Sequence, residues 1–237
     1  MRYFSTRLMA AFGCLMMLAS LSAAQGKSGK GDELKAAREY VDKASRVITE
    51  IMGAEDKAIP RDLLQKAKAI AVFPGTIKAG LIIGGQGGNG VVIRRLDEGW
   101  SAPAFLNMGG ASIGPQIGAE RTDYVLVVMN DNGLNELLKD KFEIGAEGSV
   151  AAGPVGRTAA ASTNATLDAG ILTYSRSKGL FAGLALKGVV IEPNDDVQNA
   201  VYSGKRPRQM LIENPIRNSA APSGLQKFAN TVATYAR

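Results

Sequence analysis

The sequence predicts an α+β fold: a small, bent, largely antiparallel β-barrel-like sheet with N-terminal amphipathic helices and a C-terminal helix. Three observations carry that expectation. Sustained apolar spacings of three and four mark the two ends of the chain. Between Ala69 and Gly204, short β-prone runs alternate with turn residues at intervals too close for the crossover helices of a parallel sheet. Of the 28 glycines, 22 fall in that middle stretch and one lies between Asp32 and Lys68. Glycine permits the sharp bends that a small closed barrel requires.

The chain has 237 residues, enough for one large domain, and its 46% hydrophobic and 21% charged content excludes wholesale disorder. Residues 1–24 have the pattern of an export signal. Arg2 and Arg7 precede an apolar run over 8–21, and the small residues Ser22, Ala23 and Ala24 follow. That run, about 14 residues, is short for a bilayer span. Cys14 after Ala11-Phe12-Gly13 is a poorer fit to lipidation, because Phe12 is bulky and the apolar run continues past it. The expectation is export to the periplasm or cell envelope, free or peripheral on a membrane, after a flexible leader over 25–31.

The remaining chain, 32–237, is expected to form one domain: helical over 32–68, a glycine-rich β core over 69–204, and a basic stretch with a terminal helix over 205–237. Asp32 is expected to cap a helix in which Leu34, Ala37, Val41, Ala44, Ile48 and Ile51 form one stripe, ending at Gly53. That stripe suits either a core or a membrane interface. Pro60 suits the start of a short second helix. Strands are expected at 69–73, 80–83, 91–95, 100–107, 124–129, 169–174, 180–186 and 189–191. Residues 124–129 are apolar on both faces, as a strand covered on both sides would be. Asn132 is expected to cap a helix carrying Leu134, Leu137 and Leu138, and Asn194 another running through Val201. Leu225, Phe228, Val232 and Tyr235 mark the final helix.

Much chemistry is absent from the inventory. There is no histidine, and Cys14 is the single cysteine. Ser-His and Cys-His pairs and imidazole zinc sites are therefore excluded. Four short motifs remain. Gly85-Gln86-Gly87-Gly88-Asn89-Gly90 fits a dinucleotide or, with Val92, a kinase glycine loop. A β-prone run follows instead of a helix, and no D-F-G or H-R-D appears, so it is read as a glycine-rich hairpin. Gly110-Ala111-Ser112-Ile113-Gly114 fits a nucleophile elbow but has no histidine base and is read as bent strand. Ser175-Arg176-Ser177-Lys178 fits a Ser-Lys pair. It is followed by Gly179 and a strand-like run, with no later K-T-G, and is read as a hairpin turn carrying two cations. Asn130-Asp131-Asn132-Gly133 lacks the rest of a calcium loop. No metal and no cofactor are expected.

Several segments, in order, resemble the SYLF domain, a lipid-binding module also described as an actin-binding domain in fungal proteins. They are Ala67-Lys68-Ala69-Ile70-Ala71-Val72-Phe73-Pro74, the stretch 84–92, Trp100-Ser101-Ala102-Pro103-Ala104-Phe105, and Gly114-Pro115-Gln116-Ile117-Gly118-Ala119-Glu120. Ala151-Ala152-Gly153-Pro154-Val155-Gly156 and Tyr174-Ser175-Arg176-Ser177-Lys178-Gly179-Leu180-Phe181-Ala182-Gly183 complete the series. The resemblance implies lipid binding without enzyme activity or metal. Actin and phosphoinositides, ligands of cytosolic relatives, are not expected of an exported chain, whose partner would be an anionic phospholipid or membrane surface.

Clustered cations would carry such binding, at about 1 kcal/mol per cation near an anionic surface. The candidates are Lys66 with Lys68, Arg176 with Lys178, and Lys205 and Arg206 with Arg208; Arg94-Arg95 is a fourth pair. Alternatives are a scaffold or structural envelope protein and a hydrolase using Ser175 and Lys178. Nucleic acid is not expected despite a net charge of +6, because aromatics are 6% and the cations are dispersed.

Overall fold

The computed structural model describes residues 29–54, 58–80, 83–113, 118–145, 150–156, 169–177, 180–184, 186 and 188–237. The expected signal, 1–24, and residues 25–28 of the expected leader lie outside the described residues, while Lys30 and Gly31, expected in the leader, belong to the first helix. Helix α1 runs Lys30–Gly53, three residues earlier than expected, with Gly29 as its N-cap in place of Asp32, and Asp32 and Glu33 in the first turn. A carboxylate there suits the helix dipole as well as it would suit a cap, so the sequence signal was displaced by one role. Ala37, Val41, Ala44, Val47, Ile48 and Ile51 are buried. The apolar stripe of α1 faces the core, where it packs on strands of the sheet and on two C-terminal helices. The short helix α2, Arg61–Lys66, follows Pro60 as expected.

Among the described residues ten strands follow: β1 Ala69–Gly80, β2 Ile83–Leu96, β3 Gly99–Trp100, β4 Ala104–Ile113, β5 Gly118–Val128, β6 Phe142–Ile144, β7 Val150–Ala152, β8 Ile171–Ser177, β9 Leu180–Gly183 and β10 Val189–Pro193. Their order is β6-β10-β4-β2-β1-β5-β8-β7, with β3 on β2 and β9 on β8. Every pairing is antiparallel except β7 with β8. The expected α+β class and barrel-like sheet are what the chain forms.

Three strand expectations need correction. The run 80–83 is not a strand of its own: Gly80 ends β1 and Ile83 begins β2. The run 100–107 is broken between β3 and β4, since Pro103 lacks the N–H a ladder needs. The glycine-rich stretch 85–90 is not a hairpin but part of the single strand β2, laddered to β1 on one side and β4 on the other. Glycine works there by leaving room. A Cβ at Gly90 would come within 2.5 Å of the Phe73 ring, which occupies that space from the facing position. β1 carries a register shift after Phe73, where Gly75 has φ +63° and its N–H donates to Asp123 Oδ1 at 2.7 Å.

Helix α3, Asp131–Leu137, is capped by Asn130, not Asn132: the Asn130 side chain accepts from Gly133 N–H at 2.8 Å. Helix α4, Asp195–Tyr202, is capped by Asn194 as expected. Helix α5, Lys227–Tyr235, buries Phe228 and Val232 beside α1. One side of the sheet is turned toward these helices, since Phe105 lies against Tyr202 of α4 and Arg176 pairs with Glu50 of α1. Residues Tyr124 to Val128 are buried on both faces, as expected. No helix among the described residues is long and apolar enough to cross a membrane.

Candidate functional site

The basic clusters have different surroundings. Lys66 is exposed in the last turn of α2, and Lys68 is exposed with its Nζ 3.9 Å from Asp131 of α3. Lys205 is exposed; Arg206 pairs with Asp140; Arg208 donates to Asn135 Oδ1 at 3.1 Å and lies 3.6 Å from Glu213. Two clusters distant in sequence, at Lys68 and at Arg206 to Arg208, thus meet around α3 and the turn after it. Lys68, Arg206 and Arg208 each have an acidic or amide partner. Arg206 also lines a recess of about 380 Å³ with Asp140, Glu192, Asp195 and Asp196. Four carboxylates against one guanidinium give that recess no attraction for phosphate.

The Arg94-Arg95 pair is structural. Arg94 donates to Leu211 O at 2.7 Å. Arg95 donates to Leu64 O and Ala67 O at 2.8 and 3.0 Å and stacks over Trp100 at 4.3 Å from the ring centroid. Burial pushes its pKa down. These two arginines tie the C-terminal end of α2 and the segment after α4 to the end of β2.

Arg176 lies elsewhere, on β8, beside a groove of about 620 Å³ between α1 and the sheet. Lys43, Arg46 and Val47 line it from α1, Ile77 from β1, and Arg121 and Asp123 from β5. Arg176 Nε and Nη2 both donate to Asp123 Oδ2, at 2.9 and 2.7 Å, while Nη1 reaches Glu50. Burial opposes its charge, but the hydrogen bonds it donates to Glu50 and Asp123 prevail and raise its pKa. Arg176 is therefore a clasp between α1 and the sheet. Lys43 pairs with Glu39 at 2.5 Å. Arg46 and Arg121 are exposed and make no ion pair with any described residue. The groove thus offers two unclaimed guanidiniums beside Ile77, an aliphatic side chain that is 47% exposed.

Lys178 lies outside the described residues. Ser175 sits mid-strand in β8, paired with Tyr124 and Ala182, and points to the face opposite Arg176. Ser112 likewise lies in extended strand, paired with Gly84. Among the described residues no group of three or more Asp, Glu, Cys or His is placed to hold a metal. Sequence reasoning missed Arg46 and Arg121 as site residues. Arg46 lies off the apolar stripe of α1 on its exposed side, and only the register of β1 with β5 sets Arg121 opposite Ile77.

The family model for Ysc84, described as a Las17-binding protein and actin regulator, matches residues 109–235, just over half the chain. An SH3 domain-containing protein of Schizosaccharomyces pombe is 33% identical over 199 residues, covering 80% of this chain and 46% of that protein. Protein YSC84 of Saccharomyces cerevisiae is 31% identical over 188 residues, covering 78% and 40%. The human SH3 domain-containing YSC84-like protein 1 is 34% identical over 173 residues, covering 71% and 50%. The chain spans half or less of the length of these curated relatives, none of which is named for an enzyme activity. The chain belongs to the Ysc84 family, whose shared module is the SYLF domain.

Proposed function

We propose that this chain is an exported, non-enzymatic lipid-binding protein that contacts anionic phospholipid headgroups through basic residues. The observation that carries this reading is the groove beside α1, where exposed Arg46 and Arg121 make no ion pair with any described residue and Ile77 supplies apolar surface. Phosphate is drawn by the guanidiniums, Arg176 holds the groove's two walls together, and Ile77 meets the start of the acyl chains. Of the cations expected from sequence, Lys66, Lys68 and Lys205 add exposed positive charge at the far side of α2 and α3. Export rests on the residue pattern over 1–24. The absence of chemistry is supported by Ser175, which lies in mid-strand where a Ser-Lys nucleophile would open a helix.

Flotation with phosphatidylcholine vesicles containing about 30% phosphatidylglycerol tests the reading. Arg46→Glu combined with Arg121→Glu is expected to lower vesicle retention roughly tenfold at low salt, because each reversal removes about 1 kcal/mol or more of attraction. Full retention by the double variant removes the groove from the contact. Absence of flotation by the parent protein overturns lipid binding. A scaffold role is the second reading, favoured by relatives such as LAS seventeen-binding protein 3 of Saccharomyces cerevisiae, 35% identical over 172 residues. Salt-sensitive pelleting with peptidoglycan, without vesicle binding, would establish it instead.

A further inference from the structure

Both walls of the groove beside α1 carry a cation and a carboxylate one short step apart. On α1, Arg46 and Glu50 are four residues apart, which sets their Cβ atoms about 5–6 Å from each other on one side of the helix. On β5, Arg121 and Asp123 are two residues apart on one face, about 7 Å along the strand. The carboxylates of the two walls converge, since Glu50 and Asp123 both accept from Arg176 on β8. Two carboxylates against one guanidinium leave a surplus negative charge there. Asp123 is fully engaged: Oδ2 accepts twice from Arg176, and Oδ1 accepts from Gly75 N–H. Glu50 is not. Arg176 reaches its Oε2 alone, and its side chain is 53% exposed. On each wall the cation is the free member, because Arg46 and Arg121 are exposed and make no ion pair with any described residue.

We infer that this groove recognises a phospholipid headgroup bearing both charges, a phosphoethanolamine, with its phosphate on a free guanidinium and its ammonium on Glu50. This rests on the lipid-binding reading of the same groove and adds to it the class of headgroup. The argument is charge placement. A headgroup carrying phosphate alone would meet the guanidiniums but also the spare oxygen of Glu50, which repels it. In phosphoethanolamine two carbons separate the phosphate ester from the ammonium, short enough for both charges to be met within one step of either wall. A primary ammonium has three N–H donors for a carboxylate. A choline headgroup has the same charge and no donor, and suits a cage of aromatic rings; none of the described residues lining the groove is aromatic. The volume of about 620 Å³ is that of a site for one small molecule, so a single headgroup fills it. The recess at Arg206 cannot hold the phosphate half, because its one cation is already paired with Asp140.

Flotation with vesicles of no net charge provides the test, phosphatidylcholine alone against an equal mixture of phosphatidylcholine and phosphatidylethanolamine. Retention on the mixture is expected to be about fivefold higher, the effect of one exposed charge-assisted contact. Glu50→Gln keeps an oxygen for Arg176 and removes the charge. It should lose most of that gain, while retention on phosphatidylcholine–phosphatidylglycerol vesicles holds or rises because a repelling charge has gone. A merely structural role for Glu50 would lower retention on both compositions together, and that result overturns the inference. Equal retention of the parent protein on the two uncharged compositions overturns it as well, and leaves binding to phosphatidylglycerol standing. No retention on any composition overturns the lipid reading with it. Calorimetric binding of free glycerophosphoethanolamine by a protein that no vesicle retains would assign the groove to a soluble compound and overturn the lipid source.

Discussion

The two ends of the sheet are made from the same strands and behave differently. At one end, Ala69 to Phe73 of β1 and Val91 to Ile93 of β2 are fully buried. The cations there are engaged by protein: Arg94 by Leu211 O, Arg95 by two carbonyls and Trp100, Lys68 by Asp131. At the other end, the same two strands expose Ile77, Ala79, Gly85 and Gly87, and Arg121 has no carboxylate partner among the described residues. Counting cations along the chain does not separate these ends. What separates them is whether a carboxylate or carbonyl has already claimed the charge, and whether apolar surface beside it is still open to solvent.

The largest expected contrast is in packing. Gly90→Ala places a Cβ 2.5 Å from both the Phe73 ring and Val72 O, an overlap that neither rotamer change nor solvent relieves. It should destabilise the protein by about 2–3 kcal/mol in urea unfolding. Gly85→Ala, five residues away on the same strand, meets nothing within 4 Å and should be neutral within about 0.5 kcal/mol. Equal effects would mean that the open end is as tightly packed as the closed one.

Next in size is a pair of arginine truncations. Arg95→Ala deletes charge-assisted hydrogen bonds to Leu64 O and Ala67 O, both on buried residues, and the stacking on Trp100. The expected cost is about 2 kcal/mol of stability. Arg121→Ala removes an exposed side chain that makes no ion pair with any described residue, so the thermal midpoint should stay within error while vesicle retention falls. Reversal of that pattern would exchange the roles of the two ends.

The contrast also explains what could be read from the chain beforehand. Helices announced themselves through spacing: of the sequence stripe of α1, Ala37, Val41, Ala44, Ile48 and Ile51 are buried and Leu34 is half-buried, while Ser45, Val47 and Met52 join the buried side, and Asn194 caps α4 as its residue type suggests. The class of the sheet followed from short runs that leave no room for crossovers. The glycine-rich part of β2 misled because glycine carries no strand propensity; its reason for being there is Phe73, a residue on the adjacent strand. Asn130 and Asn132 offer the same capping chemistry two residues apart, and only the position where β5 ends decides between them. The site was partly legible. Arg176 was flagged by its neighbour Lys178, yet its bonds to Glu50 and Asp123 join three elements that no local pattern connects. Arg46 and Arg121 acquire meaning only once α1 packs on the sheet and the two line one groove.

The smallest effect should come from the most cation-dense stretch of the sequence. Arg206→Glu with Arg208→Glu reverses two charges in a run of three cations over four positions, and from sequence alone it would rank first in damaging headgroup binding. In the structure, Arg206 faces Asp140 in a recess that also holds Glu192, Asp195 and Asp196, and Arg208 is held between Asn135 and Glu213. Neighbouring carboxylates cancel most of the field that a phosphate would feel, and salt screens the remainder over about 8 Å. Retention by anionic vesicles should therefore change less than twofold in the Arg206/Arg208 variant, against roughly tenfold for Arg46→Glu with Arg121→Glu. A larger loss from the Arg206/Arg208 pair would place the membrane at the α3 end and leave Ile77 facing water.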